Sequence, residues 1–251
     1  MTADATPWRA EIFGVPVDAV GRDAALARAE ALFIGARPGR PALVFTPNPE
    51  LIMRCRHDAG LLAVARAADL ALPDGIGVVW ALRRRGVPLA GRVPGVEFMG
   101  DLLARAAAEG RPVYFLGARP DVVGQAAVRA AERFPGLRVA GTHDGYFGPE
   151  AAARVAAGIA ASGAQLLFVG MGAPAQERFL AGQRGGLGAV RLAMGVGGSF
   201  DVLAGVARRA PPLVRRAGLE WLWRLAAQPG RWRRQLALPR FALAVLRTPR
   251  A

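Results

Sequence analysis

The segment at residues 164–184, AQLLFVGMGAPAQERFLAGQR, decides the fold class. Its first part, residues 164–172, is an apolar run that ends in glycines, and residues 174–184 have the pattern of a helix. A buried strand that passes through a glycine turn into a helix is the repeating unit of a parallel sheet. The same pattern predicts further strands at 42–46, within 68–75, at 112–118, within 137–148 and at 190–198.

Helical patterns separate these strands. They are predicted at 50–68, 75–85, 96–109, 120–134, 149–162 and 174–184, and a short strand pair with a helix is predicted over 11–33. Continuous apolar strands between helices imply a sheet that is buried on both faces. The predicted fold is therefore α/β: a Rossmann-like parallel sheet with helices on both faces, in which ligands bind beyond the carboxyl ends of the strands.

The composition excludes several classes of protein. The 251 residues contain one cysteine, Cys55, which excludes an intrachain disulfide framework and a Cys-rich zinc site. No run of 18 apolar residues is free of charge, so no membrane-spanning helix is expected. The first 18 residues carry acids and lack the apolar region of a signal peptide, which predicts a cytoplasmic protein.

The positive charge is concentrated in the last part of the chain. The formal net charge is +14, and all 33 basic residues are arginine. Residues 206–251 hold 11 Arg, three of the five Trp and one acid, Glu220. We therefore predict a catalytic α/β domain at 1–205 and an Arg/Trp-rich helical appendage at 206–251 that docks on an anionic membrane surface. An appendage that packs on its own domain, or on a second subunit, is the alternative.

Polar residues are scarce, and three of them follow neighbouring strands. Asn48 is the sole Asn and stands close behind Thr46 at the end of the strand at 42–46, and Asp74 follows the next strand. These side chains are expected to converge on one edge of the sheet, where the Asp74 carboxylate could serve as a general base. Capping of a following helix is the alternative role for both Asn48 and Asp74.

Two glycine-rich strand ends suggest a site for a phosphorylated ligand. Gly170, Gly172 and Ala175 match the dinucleotide pattern G-x-G-x-x-A, but no acid follows about 20 residues later, which disfavours NAD or FAD. The glycines still allow a phosphate to approach the backbone at a helix start. The predicted substrate-binding residues are Gly170, Gly172, Gln176, Glu177, Gly197, Gly198, Ser199, Asp201 and Tyr146, the last as a stacking partner for a base. Tight turns, capping and a plain surface loop are the alternatives for these residues.

No metal or cofactor is predicted. The sequence lacks D-x-D, H-E-x-x-H and a P-loop motif, so a diphosphate leaving group would depend on guanidinium groups or helix dipoles. Arg92, in the loop GRVPG, is the candidate in the body of the chain. The candidates in the appendage, for the acceptor or the membrane, are Arg215, Arg216, Arg224 and Arg231.

The order of the motifs resembles the bacterial WecG/TagA/CpsF glycosyltransferase family. The resemblance covers roughly residues 12–246 and rests on eight ordered motifs: TPNPE, LPDGIGVVW, GRVPGVEFM, YFLGARP, GTHDGYF, LFVGMGAPAQERF, GVGGSFDVLAG and RRAPPLVRRAGLEWLWRL. It implies an inverting transfer of an N-acetylmannosamine-type sugar from a UDP donor to a polyprenyl-diphosphate-linked sugar in cell-wall or exopolysaccharide biosynthesis.

The resemblance also implies roles for single residues. Asp74 matches the proposed catalytic base, with Thr46 and Asn48 as pocket residues beside it. Gln176 matches a residue implicated in sugar-nucleotide binding, and Arg92 matches an arginine near the donor diphosphate. The C-terminal segment matches an appendage that docks on the inner face of the cell membrane and adds arginines to the site. The family often has Asp where Glu97 stands.

Two other functions remain as alternatives to the transferase. A pI near 11.6 is compatible with a non-catalytic basic module that binds nucleotides or nucleic acid, although the tail Trp and Leu residues favour lipid and argue against nucleic acid as the partner. The weak dinucleotide pattern leaves a UDP-sugar epimerase or dehydrogenase as a second enzyme class. Formation of a homo-oligomer stays open.

Overall fold

The computed structural model describes residues 9–216, 218–227, 230, 232 and 236–248, with the backbone alone for Arg216 and Arg224. A six-stranded sheet runs through the described part, in the order β4-β3-β8-β7-β5-β6, and every pair of neighbours is parallel. Its strands are β3 (Ala42–Phe45), β4 (Leu70–Ala71), β5 (Val113–Gly117), β6 (Val139–His143), β7 (Leu166–Gly170) and β8 (Leu192–Gly195). An antiparallel pair, β1 (Arg9–Ile12) and β2 (Val15–Asp18), precedes it. This confirms the predicted Rossmann-like α/β class.

Helices connect the strands and continue beyond the sheet. They are α1 (Arg22–Gly35), α2 (Pro49–Cys55), α3 (Ala59–Arg66), α4 (Ile76–Arg84), α5 (Gly95–Ala108), α6 (Pro120–Arg133), α7 (Ala152–Ala161), α8 (Ala175–Gly182), α9 (Ser199–Leu203), α10 (Pro212–Arg216), α11 (Glu220–Ala227) and α12 (Ala237–Arg247), with short 3₁₀ turns at Pro149–Ala151 and Arg184–Gly186.

The helix predicted over 50–68 is instead two helices, α2 and α3. The break occurs because Asp58 caps α3: its Oδ1 accepts a hydrogen bond of 2.8 Å from the backbone N–H of Leu61. An aspartate that bonds to the backbone three residues later favours a new helix start over the continuation of the old one.

Alternating side chains of the strands fill two cores. Val113 and Phe115 of β5 face α1, α5, α6 and α9, whereas Tyr114 and Leu116 face α7 and α8. Both faces of the sheet are therefore covered, as continuous apolar strands require.

The strand order reverses between β5 and β7. Helix α6 leaves β5 on one face of the sheet, and α8 leaves β7 on the other. The backbones are in close contact there, because a Cβ on Gly117 would lie 2.5 Å from the carbonyl group of Gly170. Such a switch point opens the crevice in which open α/β sheets bind ligands.

A third core joins the C-terminal helix to the body. Ile12, Val15 and Val17 of the β1–β2 pair pack with α2, α3 and α4. Phe241 of α12 is buried in this core, with its ring edge-on to Phe13 at 6.3 Å between centroids. The last described helix thus packs on the chain's own body; the predicted boundary between 205 and 206 stays a prediction.

Candidate active site at the carboxyl edge of the sheet

Asp74 lies in the turn between β4 and α4, at the carboxyl edge of the sheet. Its Oδ2 accepts a hydrogen bond of 3.3 Å from the backbone N–H of Gly95, the first residue of α5. The loop before α5 is fixed to the same turn, because the Val93 N–H donates to the carbonyl of Pro73 at 3.0 Å. The carboxylate is partly exposed, so it can contact a ligand.

Gly95 brings Thr46 and Asp74 together. A Cβ placed on Gly95 would lie 3.0 Å from Thr46 Cγ2, 3.5 Å from Asp74 Oδ2 and 3.7 Å from Met194 Cε. Four segments therefore meet at this glycine: the ends of β3 and β8, the turn after β4 and the first turn of α5. Thr46 and Asp74 lie close together here because Gly95 has no side chain to separate them.

Asn48 has the capping role that was the alternative at this position. It is the N-cap of α2, and its Oδ1 accepts a hydrogen bond of 3.0 Å from the Leu51 N–H. The following Pro49 occupies the first helical position, where its missing N–H costs nothing. Asn48 therefore fixes the direction in which the chain leaves the site after Thr46.

Gln176 connects the two glycine-rich loops. Its Oε1 accepts a hydrogen bond of 2.9 Å from the Gly197 N–H, and its Nε2 donates to Glu177 Oε1 at 2.8 Å. The amide is buried and lies against Gly195, where a Cβ would come within 2.8 Å of Nε2. Gln176 thus sets the distance between the start of α8 and the loop after β8.

Glu177 is the most buried carboxyl group of this region. It is 2% exposed, and among the described residues its Oε2 has no hydrogen-bond partner. Burial raises the pKa of Glu177, and the hydrogen bond from Gln176 opposes that rise. The side chain lies behind the loops and supports Gln176 from within.

The backbone at the loop tips is open to solvent or ligand. A Cβ on Gly172 or Gly197 would meet no heavy atom within 4 Å, and both residues have a positive φ, at 76° and 53°. Gly170, in contrast, is closely packed: a Cβ there would lie 2.6 Å from the ring of Phe200. The backbone is therefore closely packed at Gly170, where β7 ends, and accessible at Gly172 and Gly197 in the loops.

The hydroxyl of Ser199 faces inward. Its Oγ donates to the carbonyl of Val196 at 2.6 Å, and the residue is buried. Asp201, at the start of α9, turns toward the loop, since its Oδ2 lies 3.4 Å from the position of a Cβ on Gly198. The hydroxyl of Ser199 is therefore engaged in closing the turn.

The loop that holds Tyr146 packs against the ends of β5 and β7, because a Cβ on the neighbouring Gly145 would lie 3.0 Å from Gly117 Cα and 3.2 Å from Met171 Cγ. Tyr146 lies beyond β6, the edge strand opposite β4, and is 75% exposed. Its backbone N–H bonds to Asp144 Oδ1 at 2.8 Å, which forms the turn that presents the ring.

The appendage meets the body close to Asp74. Glu97 of α5 accepts hydrogen bonds from Arg209 at 2.6 Å and from Arg215 at 3.0 Å. Arg92 donates to Glu220 of α11 at 3.1 Å. A cleft of about 470 Å³ lies between these pairs and is lined by Ile76, Arg92, Pro94, Glu97, Pro212, Arg215 and Gly218.

Of the arginines predicted in the appendage, Arg215 lines this cleft. The side chains of Arg216 and Arg224, and the whole of Arg231, lie outside the described residues. The motifs did not predict that Gly95 and Arg209 lie at the site, or that Glu97 pairs with arginines of the appendage. The isolated acid in the basic tail, Glu220, was the one sequence signal of a contact with the body.

Across the described ranges, no helix has the length and apolar content needed to cross a bilayer. Within those same ranges, no three His, Cys, Asp or Glu side chains come together as a metal site would require.

This geometry defines a class of enzyme. A carboxylate and open glycine loops at the carboxyl edge of a parallel sheet are suited to proton transfer beside a phosphorylated ligand. The chain belongs to the WecG/TagA/CpsF glycosyl transferase family, whose model matches residues 10–251, and it is therefore a glycosyltransferase.

Curated relatives are similar over most of the chain. A Bacillus spizizenii strain W23 protein is 40% identical over 210 residues, which is 84% of this chain and 80% of the relative. A Bacillus subtilis strain 168 protein is 35% identical over 206 residues, 82% of this chain and 79% of the relative. Both are named N-acetylglucosaminyldiphosphoundecaprenol N-acetyl-beta-D-mannosaminyltransferase.

Proposed function

We propose that this enzyme transfers N-acetylmannosamine from a UDP donor to a polyprenyl-diphosphate-linked N-acetylglucosamine, with inversion and without a metal ion. The observation that carries the proposal is the partly exposed Asp74 carboxylate, held by the N–H of Gly95 and beside Thr46. The relatives named for this reaction support the choice of sugar and acceptor.

Asp74 acts as the general base. The acceptor hydroxyl gives its proton to the Asp74 carboxylate while its oxygen forms a bond to the anomeric carbon. The bond from that carbon to the UDP oxygen breaks on the opposite face, and the electron pair leaves with UDP. Attack from the face opposite the leaving group inverts the configuration.

The donor lies across the loops after β8 and β7. The open backbone at Gly172 and Gly197 admits the diphosphate, and Gln176 with Glu177 holds these two loops at a fixed distance. Strands β8 and β4 flank β3, so the loop after β8 and the Asp74 turn are roughly 10 Å apart, and the loop after β7 lies one strand further away. The exposed ring of Tyr146 is the candidate for stacking on the base at the far edge of the sheet.

Guanidinium groups take the place of a metal at the diphosphates. Arg92 and Arg215 face the cleft beside Asp74, and charge-assisted hydrogen bonds of guanidinium to phosphate are among the stronger ones. In a mechanism without a metal ion, these donors stabilise the negative charge that develops on the leaving UDP.

The appendage brings the enzyme to the inner face of the membrane. Its described residues expose large apolar side chains among arginines, namely Leu213, Trp221, Leu222, Trp232, Leu243 and Leu246. Trp and Arg together suit the interface of an anionic leaflet. This docking gives access to an acceptor that stays in the bilayer.

The test is release of UDP from a panel of UDP-sugars, with and without a polyprenyl-diphosphate acceptor and with EDTA present. We expect acceptor-dependent UDP release from UDP-N-acetylmannosamine that EDTA leaves unchanged. Asp74→Asn should lower turnover by about 10²–10⁴-fold, the usual contribution of general-base catalysis, while the affinity for UDP is retained.

Asp121→Asn is the matched control, because that carboxylate lies on the surface of α6 and pairs with Arg119. It should leave turnover at the level of the unaltered enzyme. Full activity of Asp74→Asn would exclude Asp74 as the base, and loss of activity in EDTA would exclude the metal-independent mechanism.

A further inference from the structure

Ion pairs of opposite polarity fasten the appendage to the body at two places. At one place the body supplies the carboxylate, Glu97, which also lies 3.7 Å from Arg22 of the body, and the appendage supplies Arg215 at 3.0 Å and Arg209 at 2.6 Å. At the other place the body supplies Arg92 and the appendage supplies Glu220, at 3.1 Å. We call the ion pairs at these two places the clasp.

The charged side chains of the clasp are largely shielded from solvent. The side chains of Arg92 and Glu220 are 21% and 13% exposed, and that of Glu97 is 27% exposed. Charge pairs at such positions are screened less by salt than pairs on an open surface, so the loss of one of them has a larger effect.

The opposite polarity selects one arrangement of the appendage. A shift that moved Glu220 toward Glu97, or Arg215 toward Arg92, would bring like charges together. Like-charge contacts of this kind act against alternative packings. Glu220 is also the only acid in residues 206–251, so no other acidic side chain of the tail can take its place.

The clasp connects directly to the Asp74 turn. Arg92 precedes Val93, whose N–H binds Pro73, and Glu97 lies two residues beyond Gly95, whose N–H binds Asp74. The short segment 92–97 therefore carries the contacts to the base and the body's half of the clasp. At most two peptide units separate Arg92 or Glu97 from a residue that is hydrogen-bonded to the catalytic turn.

The guanidinium groups retain donors for a further acceptor. The Nε–H groups of Arg209 and Arg215 are buried without a hydrogen-bond partner among the described residues. Guanidinium groups carry five N–H donors, and a phosphate in the cleft would accept from the other N–H groups of Arg215, whose side chain lines the cleft and is 26% exposed.

From these observations we infer that Glu97 and Glu220 are positioning residues: they fasten α10 and α11 across the cleft and hold the guanidinium groups of Arg215 and Arg92 there for a diphosphate. The identity of that anion rests on the proposed function. The fastening itself depends only on the ion pairs.

A charge swap tests the Arg92–Glu220 half of the clasp in the full-length protein. Amide hydrogen exchange is measured over Pro212–Arg216 and over residues 219–223, where Trp223 N–H bonds to Leu219 O at 3.1 Å. We expect Glu220→Arg to speed exchange by roughly fivefold, as for loss of a partly shielded pair. The double variant Arg92→Glu/Glu220→Arg restores the pair in reverse and should bring exchange back to within about twofold.

Catalytic parameters test the Glu97 half. Glu97→Gln should raise KM for the polyprenyl-diphosphate acceptor more than it lowers kcat, leave UDP affinity unchanged, and speed exchange over Pro212–Arg216. Glu97→Asp keeps the charge and should recover part of the KM effect. Glu109→Gln is the control, because Glu109 follows the other end of α5 and pairs with Arg105 and Arg111.

The outcomes separate the clasp from the proposed reaction. Unchanged exchange in Glu220→Arg, or no recovery in the double variant, overturns the inference. So does a Glu97→Gln enzyme whose KM and exchange match those of Glu109→Gln. If the unaltered enzyme transfers no sugar, the proposed function fails, and the exchange measurements still decide whether the clasp exists.

Discussion

At the scale of the residue, the buried Glu177 carboxyl makes stability depend on pH. Burial raises its pKa above the ordinary value of 4.5, so the folded chain keeps a proton that the unfolded chain loses as pH rises. The stabilisation is complete below pH 4.5 and is lost as pH rises through the folded-state pKa. We expect the free energy of unfolding to fall over that interval in the native chain.

Glu177→Gln removes the titration and keeps an oxygen that can accept from Gln176 Nε2, which bonds to Glu177 Oε1 at 2.8 Å. Urea unfolding at a series of pH values should therefore give a curve for the variant that lacks this decline. Glu132→Gln, at an exposed position of α6, measures the effect of the change in net charge alone. Parallel curves for the native chain and Glu177→Gln would contradict the prediction.

At the scale of the element, the first turn of α5 couples stability to catalysis. Gly95→Ala adds a Cβ at 3.0 Å from Thr46 Cγ2, which forces a small shift beside Asp74. Alanine favours a helix over glycine by up to about 1 kcal/mol, so crowding and propensity oppose each other and stability should change little. Turnover should fall by about tenfold or more, because small displacements of catalytic groups are costly.

Gly100→Ala is the matched control in the same helix, since a Cβ there meets nothing within 4 Å. It should keep full activity in the UDP-release assay and unfold at the same or a higher urea concentration. An active Gly95→Ala enzyme would mean that the contact between Thr46, Asp74 and Gly95 does not set the geometry of the site.

Local sequence patterns predict most of the strands and helices, but they do not predict contacts between distant residues. The apolar strands and the glycines after them predict the parallel sheet and its ligand edge, because both follow from local periodicity. The break between α2 and α3 was missed, although the capping Asp58 stands in the sequence. The pairing of Glu97 with Arg209 joins positions 112 residues apart, and no local pattern encodes such a contact.

At the scale of the whole molecule, the C-terminal helix belongs to the third core as well as to the appendage. Phe241 and Val245 are buried in that core, and a Cβ on Gly77 of α4 would lie 3.0 Å from Pro49 and 3.8 Å from Phe241. Helices α2 and α4 both begin at the candidate site, and α12 packs against both of them. A chain that ends near residue 205 would expose this core.

Single substitutions in α12 measure how much this packing contributes to stability. Phe241→Ala should destabilise the protein by about 3–5 kcal/mol, the usual cost of removing a buried aromatic side chain. Leu243→Ala, at a half-exposed position of the same helix, should cost only about 0.5 kcal/mol. Urea unfolding of both variants decides the matter: equal, small losses would show that α12 contributes no core packing and that the catalytic body is complete without it.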